Sequence, residues 1–301
     1  MAGRAPRMSL QMRAVSAYLR LTSKPRMATA ERTRRLMAEP KRPAEPPRRL
    51  RDRHVVSSRE VGGFACHTVS PRGGAARAAV YVHGGAYISD MAPQHWALVS
   101  RLADAGVRVE VPSYGLAPQH THREAHPLLA AVYRELLADV DPSTVVLAGD
   151  SAGAGLVLGF AQTLGQAGLP APRRLVLISP WLDLTLSNPD VRAVQARDPW
   201  LSPDGLIEAG RAWAGGDDPR DPRLSPVNGP LAGLPPTDVL IGTRDLFHPD
   251  VLRLQQRAIA EAAPVRVTVC PGAVHVYPLT PTPEGRAAAA AIVDTVARGQ
   301  G

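Results

Sequence analysis

The nine residues Val145-Val146-Leu147-Ala148-Gly149-Asp150-Ser151-Ala152-Gly153 constrain this chain more than any other stretch of it. The apolar half reads as a buried β-strand, and the segment that follows, Ala154 to Gly165, is helix-friendly. Ser151 therefore stands at the tip of a tight strand-to-helix turn, within Gly-x-Ser-x-Gly. Glycines on both sides remove the Cβ atoms that would otherwise collide with neighbouring backbone or a bound molecule. The pattern alone is weak in a chain with 26 glycines, and an ordinary helix N-cap would also place a serine there. Strand before and helix after make it a nucleophile elbow.

A serine hydroxyl at neutral pH needs a base, and the base needs an acid to fix its tautomer. Downstream, Val239-Leu240-Ile241-Gly242-Thr243-Arg244-Asp245 reads as a buried strand whose carboxyl end delivers Asp245. Val265 to Cys270 forms another, followed by the loop Pro271-Gly272-Ala273-Val274-His275. Both candidates sit just beyond strand ends, where open α/β sheets place their sites. Asp250 and His248 are the local competitors. Asp250 falls in a first helical turn, and His248 lies only three residues past Asp245 and before the last strand, so Asp245 and His275 are preferred.

The strand Ala79 to Val82 runs into His83-Gly84-Gly85-Ala86-Tyr87, whose small residues free backbone N–H groups to face a developing negative charge. The candidate oxyanion hole is thus Gly84, Gly85, Ala86 and Ala152, with the N–H groups of Gly85, Ala86 and Ala152 as donors and Gly84 shaping the loop. With these motifs in this order, the chain resembles the hormone-sensitive-lipase family of α/β-hydrolases, whose hallmarks are His-Gly-Gly-Gly, Gly-Asp-Ser-Ala-Gly and a late Asp and His. Tyr114 to Pro118, Ser179-Pro180-Trp181-Leu182-Asp183 and Leu224-Ser225-Pro226 are similar to further family patterns, and the likeness spans roughly residues 60–298. Three positions depart from it. Ala86 replaces the third glycine, Gly115 replaces an arginine, and Val276-Tyr277 follow His275 in place of Gly-Phe. Ala86 keeps an N–H and narrows the pocket. The resemblance implies that His83 braces the glycine loop and takes no part in proton transfer. It also implies short-chain acyl esters as substrates, an N-acetyl amide as the nearest alternative, and leaves open both a homodimer and a non-catalytic ligand receptor on the same fold.

Strands expected at 76–83, 107–112, 143–148, 174–179, 237–242 and 265–270 alternate with helices near 94–105, 125–139, 152–168, 249–262 and 284–298. That alternation predicts an α/β-hydrolase fold, a mostly parallel sheet of about eight strands with helices on both faces. Residues 54–70 add earlier antiparallel edge strands. Between Trp181 and Gly233 the pattern breaks into Pro, Asp, Trp and Gly with short helical pieces. The division follows: a basic N-terminal cap and linker over 1–53, core over 54–180 and 234–301, and a cap insertion over 181–233. Tyr87, Trp181, Trp200, Leu201 and Trp213 serve equally as pocket wall or as cap core.

Charge is unevenly spread. Residues 1–53 hold 15 Lys or Arg against 4 Asp or Glu, a net of +11; the rest holds 20 against 23, a net of −3, giving the chain its +8. A basic arm could attract nucleic acid or anionic lipid. Tyr18 is its only aromatic residue and no nucleic-acid motif appears, so a solvated cap segment is expected and no nucleic-acid partner. Arginines interrupt the first residues, so no signal-peptide core forms, and no span reaches membrane-helix length. With only Cys66 and Cys270, a reducing, cytoplasmic setting is expected. His120, His122 and His126 lack companion ligands and are read as a solvated loop entering a helix, so no metal and no organic cofactor is expected.

Overall fold

The computed structural model describes residues 8–41 and 43–298. In chain order the helices are α1 (Leu10–Thr22), α2 (Ala30–Ala38), α3 (Arg48–Arg53), α4 (Pro93–Asp104), α5 (His122–Leu137), α6 (Ser151–Thr163), α7 (Val191–Gln195), α8 (Pro203–Ala214), α9 (His248–Ala260) and α10 (Pro283–Arg298). The strands are β1 (Val55–Val61), β2 (Phe64–Ser70), β3 (Arg77–Val82), β4 (Val107–Pro112), β5 (Val145–Asp150), β6 (Arg174–Ile178), β7 (Thr237–Gly242) and β8 (Val265–Cys270). They form one eight-stranded sheet in the order β1-β2-β4-β3-β5-β6-β7-β8. The first two strands pair antiparallel, as does β2 with β4, and every pair from β4 to β8 is parallel. This is the α/β-hydrolase architecture expected above.

Period-two alternation explains why the sheet is covered on both sides. Val80, Val82, Leu147, Leu175 and Leu177 join one core with residues of α5, α6, α8 and α9. Their strand neighbours Ala79, Tyr81, Val146, Ala148, Val176 and Ile178 join a second with residues of α1, α4 and α10. Helix starts follow local chemistry. At α5 the Thr121 side chain accepts from the Arg123 N–H at 3.3 Å while Glu124 accepts from the Thr121 N–H at 2.9 Å, a reciprocal cap.

The N-terminal segment packs onto the insertion. Arg34 on α2 pairs with Glu208 on α8 at 2.9 Å, and Gly205 of α8 lies so near the Met27 carbonyl that a Cβ there would approach its oxygen to 2.0 Å. Two local expectations need correcting. The segment read as cap and linker over 1–53 ends in a helix, α3, anchored by buried Leu50. Of the histidines read as a solvated loop entering a helix, His120 does lie in the loop before α5, whereas His122 opens α5, buried and 2.8 Å from Asp217, and His126 on α5 lies 3.2 Å from the Arg223 carbonyl. Burial pushes the His126 imidazole down to about 4, so it is neutral. Amphipathic burial on a helix, not solvation, fixes the rings of His122 and His126. Among the described residues, no helix is long and apolar enough to cross a membrane.

Candidate active site

The strand ends deliver the candidate residues to one place. At the β5–α6 junction Ser151 takes φ of +52°, a left-handed value that a side chain adopts only under strain. Gly153 makes the turn possible, because a Cβ there would fall 2.2 Å from the Val82 carbonyl oxygen and 2.3 Å from that of His83. Parallel registry then places β3, β5 and β7 so that their carboxyl ends face the same crevice.

Asp245 follows β7 and His275 follows β8. His275 Nε2 lies 2.9 Å from Ser151 Oγ, and His275 Nδ1 lies 2.9 Å from Asp245 Oδ2. Asp245 Oδ1 accepts the Phe247 N–H at 3.0 Å, which holds the carboxylate in orientation. All three side chains are buried. The Val276 N–H donates to Ser179 Oγ at 2.9 Å, and Val276 takes φ of +46°, so the loop departing from His275 is pinned. The rivals lie elsewhere: Asp250 accepts the Asn188 amide at 3.0 Å, and His248 begins α9.

Electrostatics favour a protonated imidazole. Burial lowers the proton affinity of His275, but the charge and hydrogen bond of Asp245, then the charges of Asp198 and Asp150, outweigh it, and the net shift is upward. Asp198 is the residue that sequence reasoning missed. Fully buried, it accepts the N–H groups of Trp200 at 2.7 Å, Leu201 at 2.9 Å and Leu246 at 2.7 Å. Burial and the neighbouring Asp245 charge raise its carboxyl to about 6, against those N–H bonds. Its signal in sequence was only an Asp-Pro within an insertion, and nothing in that pattern says the side chain turns inward.

The glycine loop divides its labour. The N–H groups of Gly85 and Ala86 have no protein acceptor among the described residues, and Ala152 is the second residue of α6, where an N–H has no intrahelical partner. The Gly84 N–H donates to Asp150 Oδ1 at 3.0 Å, so this residue shapes the loop and is not available to an oxyanion. Asp150 also accepts the Tyr81 hydroxyl at 2.7 Å and lies 3.3 Å from His95 Nε2, which fixes the loop from beneath. His83 donates through Nδ1 to the Gly84 carbonyl at 2.7 Å and stacks on Tyr114 with centroids 4.4 Å apart. The ring does brace the loop.

Ser151, His275, Gly85 and Ala86 open into a cavity of about 270 Å³. Ser23, Arg26, Met27 and Leu36 from the N-terminal segment, with Trp200, Leu201 and Leu206 from the insertion, complete its wall. The aromatic ambiguity resolves here. Trp200 and Leu201 are wall, whereas Tyr87 stacks on Trp213 at 4.3 Å and on Trp181 at 5.6 Å inside the core. Among the described residues, no three His, Cys, Asp or Glu side chains are grouped as a metal site.

A family model described as the alpha/beta hydrolase fold matches residues 79–279. The chain belongs to the hormone-sensitive-lipase-like α/β-hydrolases. It is 36% identical over 234 residues to an acetyl-hydrolase of Streptomyces hygroscopicus, covering 76% of this chain and 78% of that protein. An esterase of Acinetobacter venetianus is 35% identical over 211 residues, covering 69% of each. Among solved structures, an esterase from the bacterial hormone-sensitive lipase family superposes with a TM-score of 0.82 at 28% identity, covering 98% of this chain and 100% of that one.

Proposed function

We propose that this α/β-hydrolase is a serine carboxylesterase that cleaves short-chain acyl esters through an acyl-enzyme. The observation that carries the reading is the linear relay from Ser151 Oγ through His275 to Asp245, two contacts of 2.9 Å closed off from solvent. In it His275 takes the serine proton as Oγ attacks the ester carbonyl, then returns it to the leaving alcohol. Asp245 holds Nδ1–H and stabilises the imidazolium, which the elevated proton affinity of His275 also favours. The N–H groups of Gly85, Ala86 and Ala152 receive the oxyanion, each worth about 3 to 4 kcal/mol in sites of this kind. Water repeats the cycle on the acyl-enzyme, and the reaction needs neither metal nor organic cofactor.

In this proposal residues 54–180 and 234–301 are the catalytic core, and 1–53 with 181–233 the cap. A cavity near 270 Å³ suits a compact acyl group. The acetyl-hydrolase relative favours acetyl in particular and keeps an N-acetyl amide as the second reading. A cytoplasmic location belongs to the same proposal: β2 with Cys66 and β8 with Cys270 stand far apart in the strand order, and both cysteines are free thiols.

The test is hydrolysis of p-nitrophenyl acetate, butyrate, octanoate and palmitate by the wild type beside Ser151→Ala and His275→Ala. Activity that falls with chain length and drops by about six orders of magnitude in both variants is expected. A folded wild type inactive on every ester but active on N-acetyl amides would move the assignment to the second reading.

A further inference from the structure

The outward face of α1 is apolar. Its inward face, Met12, Ser16 and Leu19, is buried. On the opposite side Leu10, Ala14, Ala17 and Leu21 recur at steps of three and four residues, and Tyr18 borders them. Leu10 is 75% exposed, Leu21 78% and Tyr18 64%, so three of the six exposed large hydrophobic residues among those described fall on this one helix. A lone exposed leucine is ordinary; a stripe opposite a packed face is not.

The charge around the stripe is of one sign. From Met8 to Ala30 the chain carries Arg13, Arg20, Lys24 and Arg26 and no acidic residue. Arg13 and Arg20, seven residues apart, flank the stripe along one side of the helix. Arg244, from the turn after β7, lies near enough that Arg20 adds to the effect of burial in lowering its proton affinity, and Arg20 does the same at Lys24. Lys24 turns its ammonium to the carbonyls of Gln195 and Asp198, so the cations that face solvent beside the stripe are Arg13 and Arg20.

We propose that the outward face of α1, with Arg13 and Arg20 beside it, is a docking surface for an anionic phospholipid bilayer. The stripe enters the headgroup boundary while the cations meet phosphates, which is how an amphipathic helix lies on a membrane without crossing it. Tyr18, with a polar tip on an apolar ring, suits that boundary. Nucleic acid would use the cations but gain nothing from two leucines, whereas lipid uses both. The position carries a consequence for substrate entry. Ser23, two residues beyond Leu21, and Arg26 and Met27 after it line the cavity that holds Ser151, so docking by α1 brings the cavity wall to the bilayer surface.

Co-sedimentation of the full chain with phosphatidylcholine vesicles, with and without phosphatidylglycerol, tests the surface. The wild type should sediment with the phosphatidylglycerol vesicles, weakly with pure phosphatidylcholine, and less as salt is raised. Leu10→Asp with Leu21→Asp should reduce vesicle partitioning about tenfold or more, since two apolar side chains are lost from the boundary. Arg13→Gln with Arg20→Gln should reduce it only on the anionic vesicles. None of these four residues lines the cavity, so melting temperature and p-nitrophenyl acetate hydrolysis should stay at wild-type values; the first certifies the fold whether or not the ester reading holds. A folded wild type that ignores both vesicles would overturn the proposal. So would a lipid-free dimer that Leu21→Asp dissociates, since the occupant would then be a second copy of the chain.

Discussion

A serine, a histidine and an aspartate stand in line at this site, and three carboxylates surround the imidazole. Asp245 touches His275, while Asp198 and Asp150 act through space. In the proposed relay the imidazole must be neutral to accept the serine proton. Because its affinity is raised, the acid limb of kcat/KM against pH should lie above the ordinary imidazole value, with activity lost as pH falls through it. Asp198→Asn removes one of those anions and keeps most of the hydrogen-bonding shape, so the acid limb should move to lower pH. An unchanged limb would mean that Asp198 supports only the backbone of Trp200, Leu201 and Leu246. The same carboxyl has a stability signature of the opposite sense to most acids. Its folded affinity, about 6, lies above the unfolded value, so ionisation costs stability that is recovered as pH falls from neutrality through about 6. In Asp198→Asn that recovery should disappear from chemical denaturation curves taken across this range.

At the scale of elements, the turn between β5 and α6 stores strain that the surrounding packing must hold. Gly153→Ala would place a methyl 2.2 Å from one carbonyl oxygen and 2.3 Å from another, both on rigid backbone that cannot rotate away. A loss of about 3 kcal/mol or more is expected from overpacking of this kind, read by urea denaturation, with esterase activity falling alongside. Gly165→Ala, at a position where a new Cβ meets nothing within 4 Å, is the control and should stay within about 0.5 kcal/mol of wild type. The elbow was legible in sequence because its requirement is steric and local, and so were all six strands from β3 to β8, since apolar runs bounded by turn residues have few other uses. Asp245 and His275 were legible because they follow such strands directly. What anchors Gly84 was not legible, because smallness looks the same whether an N–H faces substrate or a buried carboxylate; only the approach of Asp150 decides. The contacts of His122 and His126 were missed for a related reason. Their partners Asp217 and Arg223 come from the far insertion, and no local pattern announces a contact across some 95 residues.

Across the whole molecule, the catalytic floor and the cavity wall come from opposite ends of the chain's history of contacts. The floor is built by parallel strands between residues 77 and 270, whereas much of the wall comes from residues 23–36 clamped by Arg34–Glu208 and by the close fit of Gly205 under Met27. In the proposed reading substrate selection and chemistry are separable along residues 23–36, none of which bonds to Ser151, His275 or Asp245, whereas Trp200 packs edge-on against His275 at 5.4 Å. Leu36 offers the cleanest separation: it is half-buried, borders the cavity, and has no hydrogen-bonding side chain to orphan. Leu36→Ala should deepen the cavity by the volume of an isopropyl group and extend acyl preference, raising kcat/KM for p-nitrophenyl octanoate relative to acetate by about tenfold, the scale at which a hydrophobic pocket discriminates a few methylenes. The acetate rate should hold near wild type. Were acetate and octanoate to fall together, Leu36 would be acting on the relay through cap packing, and the N-terminal segment would have to be counted as part of the catalytic scaffold instead of a selective roof above it.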